Sequence, residues 1–173
     1  MYRETRLVDP AEIVGYNAPI GIEPLCKEID MQDLRSYLAA GHILLADGAT
    51  GTVLQSMGLE PGAAPELWNV EKPDSVRALH RAYLEAGAQV VLTNSFGGSR
   101  LKLERTGGLG DRVVELNQSA ARLARAEVGA AAYVAGDIGP SGELMVPYGT
   151  LDYAKAVAVF AEQARLWSMA AWI

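Results

Sequence analysis

The chain has 173 residues, of which half are hydrophobic and 21% are charged, so it is long enough for one folded domain with a sizeable core. Its 15 basic and 21 acidic residues give a net charge of −6, and this balance argues against a nucleic-acid-binding surface. The longest apolar runs are shorter than the roughly 18 residues that predict a membrane span, and the first ten residues lack the apolar core of a signal peptide. The expected location is the cytoplasm.

Residues 1–30 contain three prolines and no sustained apolar period, which predicts an irregular N-terminal extension. Met31 is an alternative to Met1 as the translation start. The single cysteine, Cys26, excludes an internal disulfide and any metal site that needs several thiolates from this chain. It is either a small apolar residue or a reactive thiol.

A short amphipathic helix is predicted from Met31 up to Gly41, and residues 43–46 then form an apolar run that is typical of a buried strand. The run ends in Asp47 and a loop with two glycines. Asp47 is either a turn-forming residue that binds its own loop amides or a carboxylate that pairs with a ligand.

Two more apolar runs end in the same way. Residues 89–92 are followed by Thr93 and Asn94, and residues 133–136 are followed by Asp137, which we interpret as a second loop organiser. Helical patterns separate the three runs, and this alternation predicts an α/β protein with a parallel sheet. Ligands of such sheets bind at the carboxyl ends of the strands.

The segments between the strands are predicted as a brief helix over 53–57, a long loop over 59–72, and helices over 73–86 and 111–128. The long loop holds Trp68, which is either a hydrophobic plug or a ligand-stacking residue. A further loop, 97–110, precedes the third of these helices.

Thr150 is expected to cap a fourth helix. Four of that helix's residues are predicted to face inward: Ala154, Val157, Ala161 and Ala164. His42 is interpreted as a residue at a strand edge, and His80 as a residue on a helix surface.

Four segments, taken in order and spacing, resemble the homocysteine S-methyltransferase family. The resemblance covers about residues 38–166 and is greatest to bacterial betaine–homocysteine methyltransferases and to the homocysteine-binding module of cobalamin-dependent methionine synthase. The matching segments are Asp47–Thr52 (DGATGT), Ala64–Asn69 (APELWN), Leu92–Gly98 (LTNSFGG) and Gly136–Glu143 (GDIGPSGE).

The resemblance implies a (β/α)₈ TIM barrel in which three cysteines near the ends of later strands hold zinc, and zinc activates the thiol of homocysteine as a thiolate. The thiolate accepts a methyl group and becomes methionine. It also implies that Asp47 binds the amino group of homocysteine, that the amides near Gly48 and Phe96 receive its carboxylate, and that Thr93 and Asn94 shape the pocket. The methyl donor stays open between betaine, a methylfolate–cobalamin relay and S-methylmethionine.

The chain departs from the family pattern in its extent, because 173 residues hold only three predicted strands of a barrel that takes about 250 residues. We expect a truncated barrel over residues 31–166, without the zinc cysteines and inactive alone. Its open sheet edges are expected to favour an oligomer or aggregate. Residues 167–173 fit neither the fourth helix nor a strand, and are interpreted as a frameshifted tail.

Two alternatives differ in class from an enzyme of this family. The first is a non-catalytic fragment or a small-molecule-binding module. The second is a nucleotide-binding α/β domain in which residues 48–51 cradle a phosphate, although no P-loop lysine follows and no dinucleotide fingerprint is present.

Overall fold

The computed structural model describes residues 34–171. The predicted extension 1–30, Cys26 and the first residues of the helix expected from Met31 lie outside this range. The helices are α1 (Leu34–Ala39), α2 (Thr50–Ser56), α3 (Trp68–Glu71), α4 (Pro73–Glu85), α5 (Arg100–Gly107), α6 (Val113–Val128) and α7 (Tyr153–Ala171). The strands are β1 (Val90–Leu92) and β2 (Tyr133–Ala135), and single 3₁₀ turns occupy Pro65–Leu67 and Gly110–Arg112.

The sheet is parallel, as the alternation of strands and helices predicts. Val90 pairs with Tyr133 and Leu92 with Ala135. On the other side of β1, Ala46 forms a single parallel bridge to Val90, and the amide of Asp47 donates to the carbonyl of Val90 at 2.9 Å. Three consecutive chain segments therefore lie side by side, with their carboxyl ends at one edge.

The first of these segments differs from its prediction as a buried strand. Ile43 is 88% exposed and Leu45 is 57% exposed, and the pairing with β1 is confined to the bonds around Leu45, Ala46 and Asp47. The run lies at the edge of the described sheet, where it has a neighbouring strand on one side, so pairing alone does not bury it.

The helices follow from local signals in the sequence. Proline in the first turn and Asp74 beside it favour the start of α4, and Gly87, with φ of 96°, takes the chain out of it. In α5 the hydroxyl of Ser99 accepts a hydrogen bond from the amide of Lys102, and Gly108 ends the helix in the left-handed conformation. The loop predicted over 97–110 thus contains a capped helix.

The long loop predicted over 59–72 likewise contains a 3₁₀ turn and α3. Trp68 is buried there and belongs to the main apolar core, which confirms its role as a hydrophobic plug. The core cluster consists of Leu54, Leu59, Trp68, Val76, Leu79 and Leu123. The ammonium of Lys72 lies 4.2 Å from the centre of the Trp68 ring, a cation–π contact.

His80 was predicted on a helix surface, and this is wrong because its side chain is fully buried. It lies four residues after Val76 on the face of α4 that packs against α6. Neither ring nitrogen has a hydrogen-bond partner among the described residues, and burial lowers the pKa of His80 to about 4. His42 is exposed and stacks on Tyr37, with ring centres 4.4 Å apart.

The face of α7 that points inward also differs from the prediction. Among residues 153–167 of the helix, the buried ones are Ala156, Val159, Gln163 and Leu166, whereas the predicted Ala154, Val157 and Ala164 are exposed and Ala161 is half-buried. Asp152, rather than Thr150, caps the helix, because its carboxylate accepts from the amide of Lys155 at 2.8 Å. Alanine occurs on every side of this helix, so its apolar period does not define one face.

The change of structure expected at Trp167 is also absent, because α7 continues to Ala171. The ring of Trp167 packs directly against Gly136 at the end of β2, where a Cβ atom would overlap it. No helix within residues 34–171 is long and apolar enough to cross a bilayer.

Candidate functional site

The carboxyl ends of the three parallel segments bring polar residues together. Asp47 follows the bridge at Ala46, Thr93 follows β1, and Asp137 lies two residues after β2. This is the arrangement that the sequence predicts for a ligand-binding edge of a parallel sheet.

Asp47 is fixed through one carboxylate oxygen only. Oδ2 accepts a hydrogen bond from the amide of Leu92 at 2.9 Å, while Oδ1 is buried and has no partner among the described residues. Burial raises the pKa of Asp47 to about 6; the Leu92 bond opposes this rise, and the charge of Asp137 adds to it. A positively charged ligand group at Oδ1 would therefore offset both the desolvation of the Asp47 carboxylate and its repulsion from Asp137.

Thr93 and Ser95 hold the backbone of the neighbouring loop. The hydroxyl of Thr93 accepts from the amide of Asp137 at 3.1 Å, and the hydroxyl of Ser95 donates to the carbonyl of Asp137 at 3.0 Å. Because Ser95 has used its single proton, Thr93 donates across the 2.7 Å contact between the two hydroxyls. The loop that Asp137 was predicted to organise is thus held at its backbone by Thr93 and Ser95.

Asn94 ties the loop after β1 to the segment that precedes α4. Its amide nitrogen donates to the carbonyl of Pro65 at 2.9 Å and to the side-chain oxygen of Asn69 at 3.0 Å. The side chain of Asn69 returns a bond to the carbonyl of Asn94 at 2.8 Å. Both side chains are buried, so this pairing is shielded from water.

A cavity of about 420 Å³ opens at this edge of the sheet. Three of the predicted site residues, Gly48, Asn94 and Phe96, line it, and Phe96 is 57% exposed at its border. Asp47 and Thr93 lie in the chain beside lining residues and are not themselves part of the wall. The remaining lining residues are Thr50, Gly51, Gly62, Ala63, Ala64, Pro65, Glu66, Leu92, Gly97, Lys102, Thr106 and Asp137.

Three charged lining residues, Glu66, Lys102 and Asp137, are absent from the predicted substrate-binding residues. Asp137 was predicted only as a loop organiser. Glu66 is only 3% exposed, and its Oε1 accepts a hydrogen bond from the amide of Gly97 at 2.6 Å. Burial raises the pKa of Glu66, whereas the bond from Gly97 and the charge of Lys102 lower it. A glutamate after a proline is no sequence signal for a contact 31 residues away.

The amides around the cavity are not equally available. The amide of Gly97 is occupied by Glu66, whereas the amides of Gly48 and Phe96 donate to no other group in the part of the chain that the structure describes. Both residues are exposed at the cavity, so their amides are open to a ligand, and a carboxylate can accept hydrogen bonds from them. Gly48 and Phe96 are the two positions for which the family resemblance implies this contact.

A metal site is not found at this edge. Between residues 34 and 171, no three histidine, cysteine, aspartate or glutamate side chains are placed so that they hold a metal ion together. The whole chain contains one cysteine. A zinc site of three thiolates therefore does not fit the donors that this chain supplies.

The fold is thus that of an α/β protein whose sheet edge carries a cavity, two open amides and a carboxylate with one unpartnered oxygen. The profile of the homocysteine S-methyltransferase family matches residues 44–171, and the chain belongs to this family.

Relatives and solved structures agree with the family match. Methionine synthase of Mycobacterium tuberculosis (strain ATCC 25618 / H37Rv) is 34% identical over 153 residues, which are 79% of this chain and 12% of the relative. Homocysteine S-methyltransferase of Escherichia coli (strain K12) is 35% identical over 63% of this chain and 39% of its own length.

The solved structure of the homocysteine methyltransferase MmuM from Escherichia coli, in its metallated form, superposes with a TM-score of 0.63 at 27% identity. That match covers 79% of this chain and 54% of the solved one. The chain thus spans about half of the solved structure, and smaller shares of the curated relatives named above.

Proposed function

We propose that this chain forms the homocysteine-binding part of a homocysteine S-methyltransferase, an enzyme that transfers a methyl group to the sulfur of homocysteine and yields methionine. The observation that carries this proposal is the carboxylate of Asp47, which stands at the strand ends with one buried oxygen that has no partner. A primary ammonium is the group that such an oxygen accepts best.

The proposed mode of binding uses both ends of the amino-acid group. The ammonium pairs with Asp47, and the carboxylate receives hydrogen bonds from the amides of Gly48 and Phe96. Thr93 acts indirectly, because its hydroxyl accepts a hydrogen bond from the backbone amide of Asp137. Asn94 forms part of the cavity wall. The thiol would then point away from the sheet edge, because Asp47 and the amides of Gly48 and Phe96 bind the amino-acid end of the ligand.

The parallel order of the three segments supports a second part of the proposal, namely that residues 31–166 form the first three strand-helix units of a (β/α)₈ barrel. The superposition on a solved homocysteine methyltransferase supports it as well. Ligands of such barrels bind at the carboxyl ends of the strands, where the cavity lies.

Zinc activates the thiol in enzymes of this kind, as the family resemblance implies. Because the donors of this chain do not fit such a site, we infer that the chain alone binds the amino acid without activating its sulfur. This makes the non-catalytic binding module the second candidate function, and the observation that favours it is the single cysteine of the chain.

A nucleotide is disfavoured by the charge around the cavity. Glu66 and Asp137 line it, Asp47 lies beside it, and Lys102 is the one lysine or arginine among the lining residues. Phosphate groups would meet net repulsion there. The glycines at 48 and 51 therefore support an amino-acid site better than a phosphate cradle.

Equilibrium dialysis of the 173-residue protein with three small ligands tests the proposal. L-Homocysteine and L-2-aminobutyrate, which lacks the thiol, are expected to bind with similar affinity, since the site contacts their shared ammonium and carboxylate. 4-Mercaptobutanoate lacks the ammonium and is expected to bind at least tenfold more weakly. Equal binding of all three, or binding of ATP in preference to them, would contradict the proposal.

A further inference from the structure

Four hydrogen bonds join the segment Pro65–Asn69 to the loop Asn94–Gly97 that follows β1. Three of them link Asn94 to Pro65 and Asn69, and the fourth runs from the amide of Gly97 to Glu66. The bonds span 25 to 31 residues of sequence, so the two stretches come together only in the folded chain. Both stretches line the cavity.

We propose that Glu66 is a positioning residue of the amino-acid site: its carboxylate holds the amide of Gly97 and thereby sets the place of the Phe96 amide and the Asn94 side chain. The inference rests on the proposed function, because it concerns the binding of the same ligand. The family resemblance assigned no role to Glu66.

The geometry explains why a carboxylate suits this place. The 2.6 Å bond from Gly97 has the short length of a charge-assisted hydrogen bond, and a buried acid without such a partner would be destabilising. A Cβ atom on Gly97 would lie 3.0 Å from Oε1, so the carboxylate is already in close contact with the backbone. An apolar side chain would fill the space and leave the amide free.

Glu66 also determines which backbone amides are free to donate a hydrogen bond to the ligand carboxylate. With the Gly97 amide occupied, the ligand carboxylate is left with the amides of Gly48 and Phe96, two residues that both line the cavity. If the Gly97 amide became free, a ligand carboxylate would have a competing partner one residue further along the loop. Glu66 therefore contributes to specificity for the position of the carboxylate as well as to the rigidity of the loop.

Two variants separate this role from general stability. Glu66→Met keeps the volume and removes the acceptor, whereas Glu66→Gln keeps an acceptor oxygen and removes the charge. The matched control is Glu60→Met together with Glu60→Gln, because Glu60 is exposed and precedes the same segment. Each protein is examined by L-homocysteine dialysis, by amide hydrogen exchange of residues 94–98, and by thermal unfolding.

We expect Glu66→Met to weaken L-homocysteine binding about tenfold and to speed exchange of the Gly97 amide at least tenfold. In Glu66→Gln, the affinity for L-homocysteine and the exchange rate of the Gly97 amide should lie within about threefold of the values for the unmodified protein. The Glu60 variants should match the unmodified protein in both quantities. Unchanged exchange and affinity in Glu66→Met would overturn the inference. A Gln variant as weak as the Met variant, at the same melting temperature, would overturn it too.

A measurement on the unmodified protein covers the case in which Glu66→Met does not fold. The amide of Gly97 should exchange at least tenfold more slowly than the amide of Phe96, which has no partner among the described residues. Equal rates would overturn the inference. If L-homocysteine fails to bind the unmodified protein, the proposed function fails, and the exchange rates still decide whether Glu66 holds the loop.

Discussion

Asp47 has one carboxylate oxygen bonded to the amide of Leu92 and one that is buried without a partner. Replacement by asparagine keeps the size of the side chain and its acceptor for Leu92, and removes the charge. We expect Asp47→Asn to weaken L-homocysteine binding by about 1.5–3 kcal/mol, which is roughly ten- to a hundredfold. Dialysis measures this change, and an unchanged affinity would remove Asp47 from the site.

The same carboxylate predicts a pH dependence of binding. Only the ionised form of Asp47 attracts an ammonium, and the pKa of this group is raised to about 6 in the free protein. The affinity for L-homocysteine should therefore be constant from pH 8 to 7 and fall about tenfold per unit below pH 6. Asp47→Asn should show no such fall. A profile that is flat down to pH 5 in the unmodified protein would contradict this assignment.

His80 predicts a pH dependence of stability that is separate from the site. Its pKa is lowered from 6.5 to about 4 by burial, so the unfolded chain binds the proton more tightly than the folded one. The resulting stability is present above pH 6.5 and is lost as the pH falls towards 4, by about 3 kcal/mol in total. Urea unfolding of the unmodified protein and of His80→Leu at pH 7 and pH 4.5 measures it.

The leucine variant has no proton to gain and should lose less stability between the two pH values. It should also equal or exceed the stability of the unmodified protein at pH 7, because neither nitrogen of His80 has a partner to lose. His42→Gln is the control, since His42 is exposed. If His80→Leu lost as much stability on acidification as the unmodified protein, His80 would not be the responsible group.

At the scale of elements, the loop after β1 is fixed by side chains from α6 and α7 that meet at Gly98. A Cβ atom on Gly98 would lie 2.6 Å from Oδ1 of Asn117, 2.8 Å from the carbonyl of Ser95 and 2.9 Å from Nε2 of Gln163. We expect Gly98→Ala to destabilise the protein by about 1–3 kcal/mol, because this buried network has to shift. Gly51→Ala is the control, and its unfolding free energy should stay level or rise.

The control differs because a Cβ atom on Gly51 meets nothing within 4 Å and the residue lies within α2, where alanine is favoured by up to about 1 kcal/mol. Urea unfolding of both variants tests the pair. Equal stability of Gly98→Ala and the unmodified protein would show that the network adapts without cost.

The elements that the sequence predicts well are those with a single local signal. The starts of β1 and β2 and the span of α6 follow from an apolar run or period bounded by turn residues, and the structure agrees with these bounds to within two residues. The inward face of α7 was missed because alanines surround that helix and a polar residue, Gln163, is buried on the inward side. Its amide donates to the carbonyl of Ser95 at 2.8 Å, a contact across 68 residues that no local pattern carries.

The same distinction applies to the candidate site. The family resemblance implies roles for Asp47, Gly48 and Thr93. The positions of Asp47 and Thr93 directly after apolar runs agree with it, since strand ends meet at one edge of a parallel sheet. Glu66 comes from a different stretch and reaches the edge through a tertiary hydrogen bond, so its sequence neighbourhood does not reveal it.

At the scale of the whole molecule, the metal-ligating residues of the chain predict a limit to its methyl-transfer activity. We expect the 173-residue protein to form no methionine from L-homocysteine with betaine, a methylcobalamin donor or S-methylmethionine, because one cysteine cannot build a site of three thiolates. The measurement is a methionine-formation assay with added zinc, alongside the zinc content of the purified protein. Cys26→Ser should behave identically. Methionine formation that depends on Cys26 would contradict this limit.

The packing of Trp167 on Gly136 gives the molecule an optical property. The indole packs against Gly136, the residue before Asp137 of the cavity wall, and its Nε1 is buried without a partner among the described residues. The emission of an indole depends on the polarity and charge around it, so the light emitted by Trp167 depends on the electric field at this edge of the sheet. Trp68, in the apolar core and beneath the ammonium of Lys72, senses a different environment. The fold thus places the indole of Trp167 against the end of β2 and the indole of Trp68 in the core.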